Sequence, residues 1–170
     1  QEVRVHAEII QFIKADLKLI NSDWKFNWEQ LYDSKAKFYK VNYESQTQGI
    51  IKLEEENDLN FVLKNIEVAP WNYGSKGKFN NVAEILISFA CLQSFELNKE
   101  VIKFLVFTSK GKLIEYYQQK YSAELIFRER MIINPNIGKQ LINMNLKIDI
   151  ENEDKYFDQL IGTQKDKTTD

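Results

Sequence analysis

Cysteine occurs once in the 170 residues, at Cys91, and histidine once, at His6. A single cysteine excludes an intramolecular disulfide and any zinc site built on several thiolates. A single histidine excludes a multi-histidine metal site and would force a serine–histidine–aspartate triad onto His6 alone. Two prolines and six glycines are too few for collagen-like or proline-rich linker sequence. No stretch approaches the ~18 consecutive apolar residues of a membrane helix. Glu2, Arg4 and Glu8 interrupt any signal-like hydrophobic start. The chain opens on Gln1 rather than Met, as expected where a natural start lies a few residues earlier. A net charge of −2 gives no bulk attraction to nucleic acid. The nearest basic and aromatic run, Lys35, Lys37 and Lys40 around Phe38 and Tyr39, is too short for a binding stripe. The expectation is a cytoplasmic protein working without metal, nucleic acid or membrane.

A hydrophobic share of 44%, with 13% aromatic, is enough to build a core, and the length suits one domain. That domain is expected over 1–150. In 151–170 the acids Glu151, Glu153, Asp154, Asp158, Asp166 and Asp170 outnumber the lysines, and beyond Ile161 only Gly162 is not polar. This end is expected to be an acidic, partly disordered tail, frayed from Gly162 onward.

Within the domain two periodicities alternate. Val3 and Val5 end a short strand; Ile9, Ile10, Ile13, Leu17 and Ile20 then recur at helical spacing. Trp24, Phe26 and Trp28 alternate as a strand or extended entry segment. Strands are predicted over 38–43, 49–54 and 60–68, the last two forming a hairpin about the polar turn 56–58. Pro70 closes the third. A loop of small and basic residues follows, then the strongest helix, 82–95, and an apolar run at 102–107, broken only by Lys103, that suits a buried central strand. A helix at 112–121, strands at 123–127 and 130–133 and a helix at 137–144 complete the order. The reading is an α/β layer whose central β-α-β unit is a right-handed parallel crossover. Cys91, among Phe89, Ala90 and Leu92, is expected to be a buried, inert thiol, and His6 a surface residue. Trp24, Trp28 and Trp71 are read as core or edge-packing residues.

The informative segment is 67–87. A strand ends, a loop carrying Gly74, Lys76, Gly77 and Lys78 crosses over, and a helix begins. Free amides and the positive dipole end of that helix, with Lys76 and Lys78 beside it, form an anion site. The alternative is a plain surface loop kept soluble by its lysines.

The segment Lys78-Phe79-Asn80-Asn81-Val82-Ala83 resembles the acetyl-CoA loop of the GCN5-related N-acetyltransferase (GNAT) superfamily, Arg/Gln-x-x-Gly-x-Gly/Ala. Lys78 stands for Arg/Gln, Asn81 for the first glycine, and Ala83 is an allowed last residue. Asn tolerates the left-handed φ that a glycine supplies there, although it carries a side chain. The strand–helix–strand 102–107, 112–121 and 123–127 is similar to the family's second segment. Tyr117 stands at its helix tyrosine and Ser122 where many members have glycine. The resemblance implies a mixed, mostly antiparallel sheet with a central parallel crossover and helices on both faces. It implies acetyl-CoA as acyl donor, no metal, and an amine acceptor, small molecule or protein, with homodimerisation through the last strands. The cofactor would be held by Val68, Lys76, Lys78, Asn80, Asn81, Val82 and Ala83. Glu67 would be the base and Tyr117 the acid, with Trp71 and Tyr73 shaping the acceptor pocket. The competing expectation is a degenerate module of the same fold that binds CoA or a protein partner.

Overall fold

The computed structural model describes residues 2–57, 60–96, 104–146 and 158–165. Eight strands form one sheet: β1 (Glu2–Gln11), β2 (Lys37–Tyr43), β3 (Gln46–Glu55), β4 (Asn60–Val68), β5 (Phe104–Thr108), β6 (Glu124–Phe127), β7 (Arg130–Ile133) and β8 (Asp158–Lys165). Their order across the sheet is β6-β7-β5-β4-β3-β2-β1-β8, and β4–β5 is the parallel pair in an otherwise antiparallel set. Four α-helices accompany them: α1 (Trp28–Leu31), α2 (Val82–Glu96), α3 (Gly111–Tyr121) and α4 (Pro135–Asn145). The expected mixed sheet with a parallel β-α-β centre is the one found. The start of the expected 102–107 strand, 102–103, lies outside the described residues.

Side chains alternate across the strands and so separate two cores. Val41, Ile51, Leu53 and Phe61 point to one face, where α2 lies with α4 against it. Phe38 and Ile50 point to the other, under Phe12, Trp24 and Trp28 of the segment joining β1 to β2. Covered by both sheet and α4, α2 buries Ile85 through Leu92 without a polar face. Its start is pressed onto the sheet at Gly49, where an added Cβ would lie 2.8 Å from Val82 Cγ1 and 3.0 Å from Leu86 Cδ1. Gly49 pairs with Val68, so this contact sets the head of α2 beside the end of β4.

The chain start departs from expectation. β1 runs to Gln11 where a helix was expected from Ile9, and only a 3-10 turn, Lys14–Leu19, follows. Val5, Ala7 and Ile9 face the larger core while His6 and Glu8 are exposed, a period of two that pairing with β2 rewards. Trp24–Trp28 is likewise no strand; it leads into α1, whose cap Asn27 accepts from the Gln30 amide at 3.2 Å. The fraying expected from Gly162 is not found in the described part: β8 extends through Gly162 to Lys165, paired with Glu2–Glu8 of β1. An edge strand offers a row of unpaired backbone groups, and these bind a partner without needing apolar side chains from it. Residues 151–157 and 166–170 of the expected tail lie outside the described residues.

Candidate active site

Among the described residues the parallel pair β4–β5 is joined at Asn60–Phe104, Phe61–Leu105 and Val62–Val106. β4 then runs on to Val68 without that neighbour, so the sheet forks. The gap is a narrow apolar cleft of about 20 Å³ walled by Leu63, Ile66, Ile87, Phe107 and Ile133, with Tyr117 on its side. A bulge in β4 at Lys64 lies along this free edge, because Lys52 pairs with Asn65 and Leu53 with Leu63.

The head of α2 stands at the fork's end. Backbone amides of its first turn, 82–84, have no acceptor within the helix. Asn81 adopts φ +71°, the left-handed conformation a glycine would take, and its carbonyl receives the Ile85 amide at 3.0 Å. Its side chain reaches Asn145 Oδ1 of α4 at 3.3 Å. Lys76, Lys78 and Asn80 are exposed, Ala83 and Val68 half-buried. Val82 can offer only its backbone, since its side chain is buried against Gly49. Lys120 of α3 pairs with Glu84 in the first turn of α2, tying the two helices that flank the cleft.

Tyr117 packs edge-on to Phe107 at 5.0 Å and beside Tyr116 and Tyr121, at 5.3 and 5.9 Å. Its hydroxyl makes no hydrogen bond among the described residues. Burial, and then the neighbouring Tyr116, push its pKa above the ordinary tyrosine value, so the phenol keeps its proton at neutral pH. Ser122 closes α3 at φ +50°, in the left-handed cap position.

Glu67 lies on the opposite face of β4, buried opposite Ile50. Its carboxylate accepts four hydrogen bonds: from the Lys25 amide at 2.6 Å, the Phe26 amide at 3.0 Å, Trp28 Nε1 at 3.0 Å and the Tyr73 hydroxyl at 2.5 Å. Those donors match the capacity of a carboxylate. Tyr73 is pushed above its ordinary pKa first by burial and then by its bond to Glu67, so it too stays protonated. Beyond this knot is an open hollow of about 330 Å³, with Trp24, Lys25, Phe26, Trp28 and Glu29 in its wall. Trp71 and Tyr73 are not among its lining residues. They brace it from behind, Trp71 edge-on to Trp24 at 6.3 Å and Tyr73 through Glu67. The fold thus gathers the loop residues and Val68 at one end of the fork, Tyr117 in the cleft, and Glu67 and Tyr73 under the β1–β2 segment. Gln48 and Asn72, both buried and joined by a hydrogen bond from Asn72 Nδ2 to Gln48 Oε1 at 3.0 Å beside the loop, were missed by sequence reasoning because a lone Gln and a lone Asn carry no motif. Among the described residues no group of three or more His, Cys, Asp or Glu could hold a metal ion. None of their helices is long and apolar enough to cross a membrane.

No protein-family model matches the sequence, and no curated protein does. Solved structures do. The N-acetyltransferase PseH of Campylobacter jejuni superposes with a TM-score of 0.52 at 16% identity, covering 75% of this chain and 97% of PseH. A GNAT family acetyltransferase from Elizabethkingia anophelis, with acetyl-CoA bound, gives a TM-score of 0.48 at 21% identity over 92% of this chain and 95% of its own. The ribosomal-protein-S18-alanine N-acetyltransferase of Escherichia coli gives 0.47 at 11%, over 95% and 98%. The chain has the GNAT fold.

Proposed function

We propose that the protein is an N-acetyltransferase, moving the acetyl group of acetyl-CoA to an amine by direct attack in a complex of both substrates. The observation that carries this reading is the fork: β4 loses its partner after Val62, beside the start of α2. A free strand edge suits the amide-bearing pantetheine arm, which adds to it as a further strand would. The open first-turn amides of α2, with Lys76 and Lys78, suit the pyrophosphate. Likeness to PseH, an N-acetyltransferase of the same fold, supports the reading. Asn81, already left-handed, satisfies the backbone demand of the family's glycine.

In the proposed reaction the amine nitrogen attacks the thioester carbonyl carbon and the C–S bond breaks. The departing thiolate takes the proton of Tyr117, whose raised pKa keeps that proton available. The surplus proton of the amine goes to a base. Glu67 would fill this role only by exchanging one of its four donors, through Tyr73 or through water. Its arrangement supports more directly the holding of Lys25, Phe26 and Trp28 at the acceptor hollow. The same occupancy favours a second reading, a CoA- or protein-binding module without turnover. Release of CoA thiol over a panel of amines separates the two. Turnover that falls in Tyr117→Phe supports the transferase; CoA binding without release from any amine selects the module.

A further inference from the structure

Gln48 is the extra residue of a bulge in β3: Val41 pairs with Gly49 and Asn42 with Thr47, leaving Gln48 between them. A bulge frees a backbone carbonyl and re-aims a side chain, and here both turn to one loop. Gln48 is fully buried. Its carbonyl accepts from the Ala69 amide at 2.8 Å and from Asn72 Nδ2 at 3.2 Å. Its Oε1 accepts from the same Asn72 Nδ2 at 3.0 Å and from Trp71 Nε1 at 2.9 Å. Asn72, also buried, returns across the loop, its Oδ1 accepting the Phe79 amide at 3.0 Å. The Lys78 amide donates to the Trp71 carbonyl at 2.8 Å. Gly77 is packed so close that a Cβ would lie 2.6 Å from the Asn72 carbonyl oxygen. Phe79 is buried against Tyr43, with ring centres 5.3 Å apart.

These contacts close residues 71–79 into a ring around Asn72, anchored on β3. The chain leaves that ring at Lys78 and Phe79 and enters α2 three residues later. We infer that Gln48 and Asn72 are positioning residues for phosphate recognition: they fix the loop leading to the head of α2 before any ligand arrives. The inference rests on the acetyl-CoA reading above and adds two residues to it. Its physical content is preorganisation, in which the ordering of the loop is completed during folding and is not subtracted from binding. It also separates the two parts of the ligand. The phosphates meet the head of α2 and the lysines of the loop that the ring holds, whereas the pantetheine arm meets the fork between β4 and β5.

That separation provides the test. Full-length wild type, Asn72→Ala and Gly77→Ala are titrated calorimetrically with CoA and with pantetheine, which lacks the phosphates. Asn72→Ala removes the cross-loop bonds, and Gly77→Ala presses a methyl group on the Asn72 carbonyl. Each is expected to weaken CoA by about tenfold, the scale of one or two lost hydrogen bonds. Pantetheine affinity should stay within about twofold, with a single cooperative unfolding transition retained. Equal losses for both ligands would mean general damage and overturn the inference, as would CoA binding unchanged in both variants. If Asn72→Ala does not fold, Gly77→Ala decides. A folded wild type that binds neither ligand overturns the acetyl-CoA reading and this inference together; wild-type binding with unaffected variants overturns the inference alone.

Discussion

Tyr117 and Glu67 show how differently two ionisable side chains can be used on either side of one sheet. Tyr117 stands in an apolar cleft, its hydroxyl without a hydrogen bond among the described residues, and its raised pKa keeps it protonated. Tyr117→Phe is expected to lower kcat by roughly 100-fold, the scale of one general acid, with KM for acetyl-CoA little changed. Because the shift is upward, the loss of rate from ionising Tyr117 should begin only above its ordinary value of 10.0, which a pH–rate profile checks. Glu67, by contrast, is bound by four donors. Glu67→Gln would turn an NH₂ group toward some of those donors, and each buried group left unpaired costs about 1–3 kcal/mol. A lower denaturation midpoint, whether or not turnover changes, is the expected result. Cys91 is a third case. Burial pushes its thiol from 9.0 to about 12, so it should resist thiol reagents until the chain unfolds. The unfolded state loses that proton near pH 9 while the folded state retains it. Stability from Cys91 is therefore complete below pH 9 and lost as pH rises toward 12, by up to about 1.4 kcal/mol per pH unit. Cys91→Ala should flatten that alkaline decline in chemical denaturation.

At the scale of elements, strands and helices whose local pattern agreed with their tertiary surroundings were legible. β4 is found over the expected 60–68, and α2, α3 and α4 begin within two residues of expectation. At 78–83 the resemblance called for a left-handed residue ahead of a helix, and Asn81 at φ +71° is one. β1 was misread because Ile9, Ile13, Leu17 and Ile20 also fit a helical stripe; the preference was decided by β2, some 30 residues away. Gly49 illustrates a requirement with no sequence signal. Its missing Cβ lets Val82 and Leu86 close on β3 and so places the head of α2. Gly49→Ala is expected to cost about 1–3 kcal/mol through overpacking. It should also weaken CoA binding by shifting α2, which thermal shifts with and without CoA would register.

For the whole molecule, the sheet ends at β8, whose eight residues complete β1. A chain ending at 150 is expected to keep both cores, unfold cooperatively and bind CoA, while exposing the edge of β1. Concentration-dependent association in light scattering, absent from the full chain, would be the sign of that edge. By itself the sequence determined the α/β class, the loop that leads into α2 and the exclusion of an intramolecular disulfide. These follow from residue types and from periods shorter than a dozen residues. Only the tertiary structure decided where β4 and β5 part, that Glu67 holds the β1–β2 segment, and that Gln48 and Asn72 brace the loop. Each of those joins residues more than 20 positions apart in the chain, and which donors and acceptors meet across that distance is set by packing and strand register rather than by any local pattern.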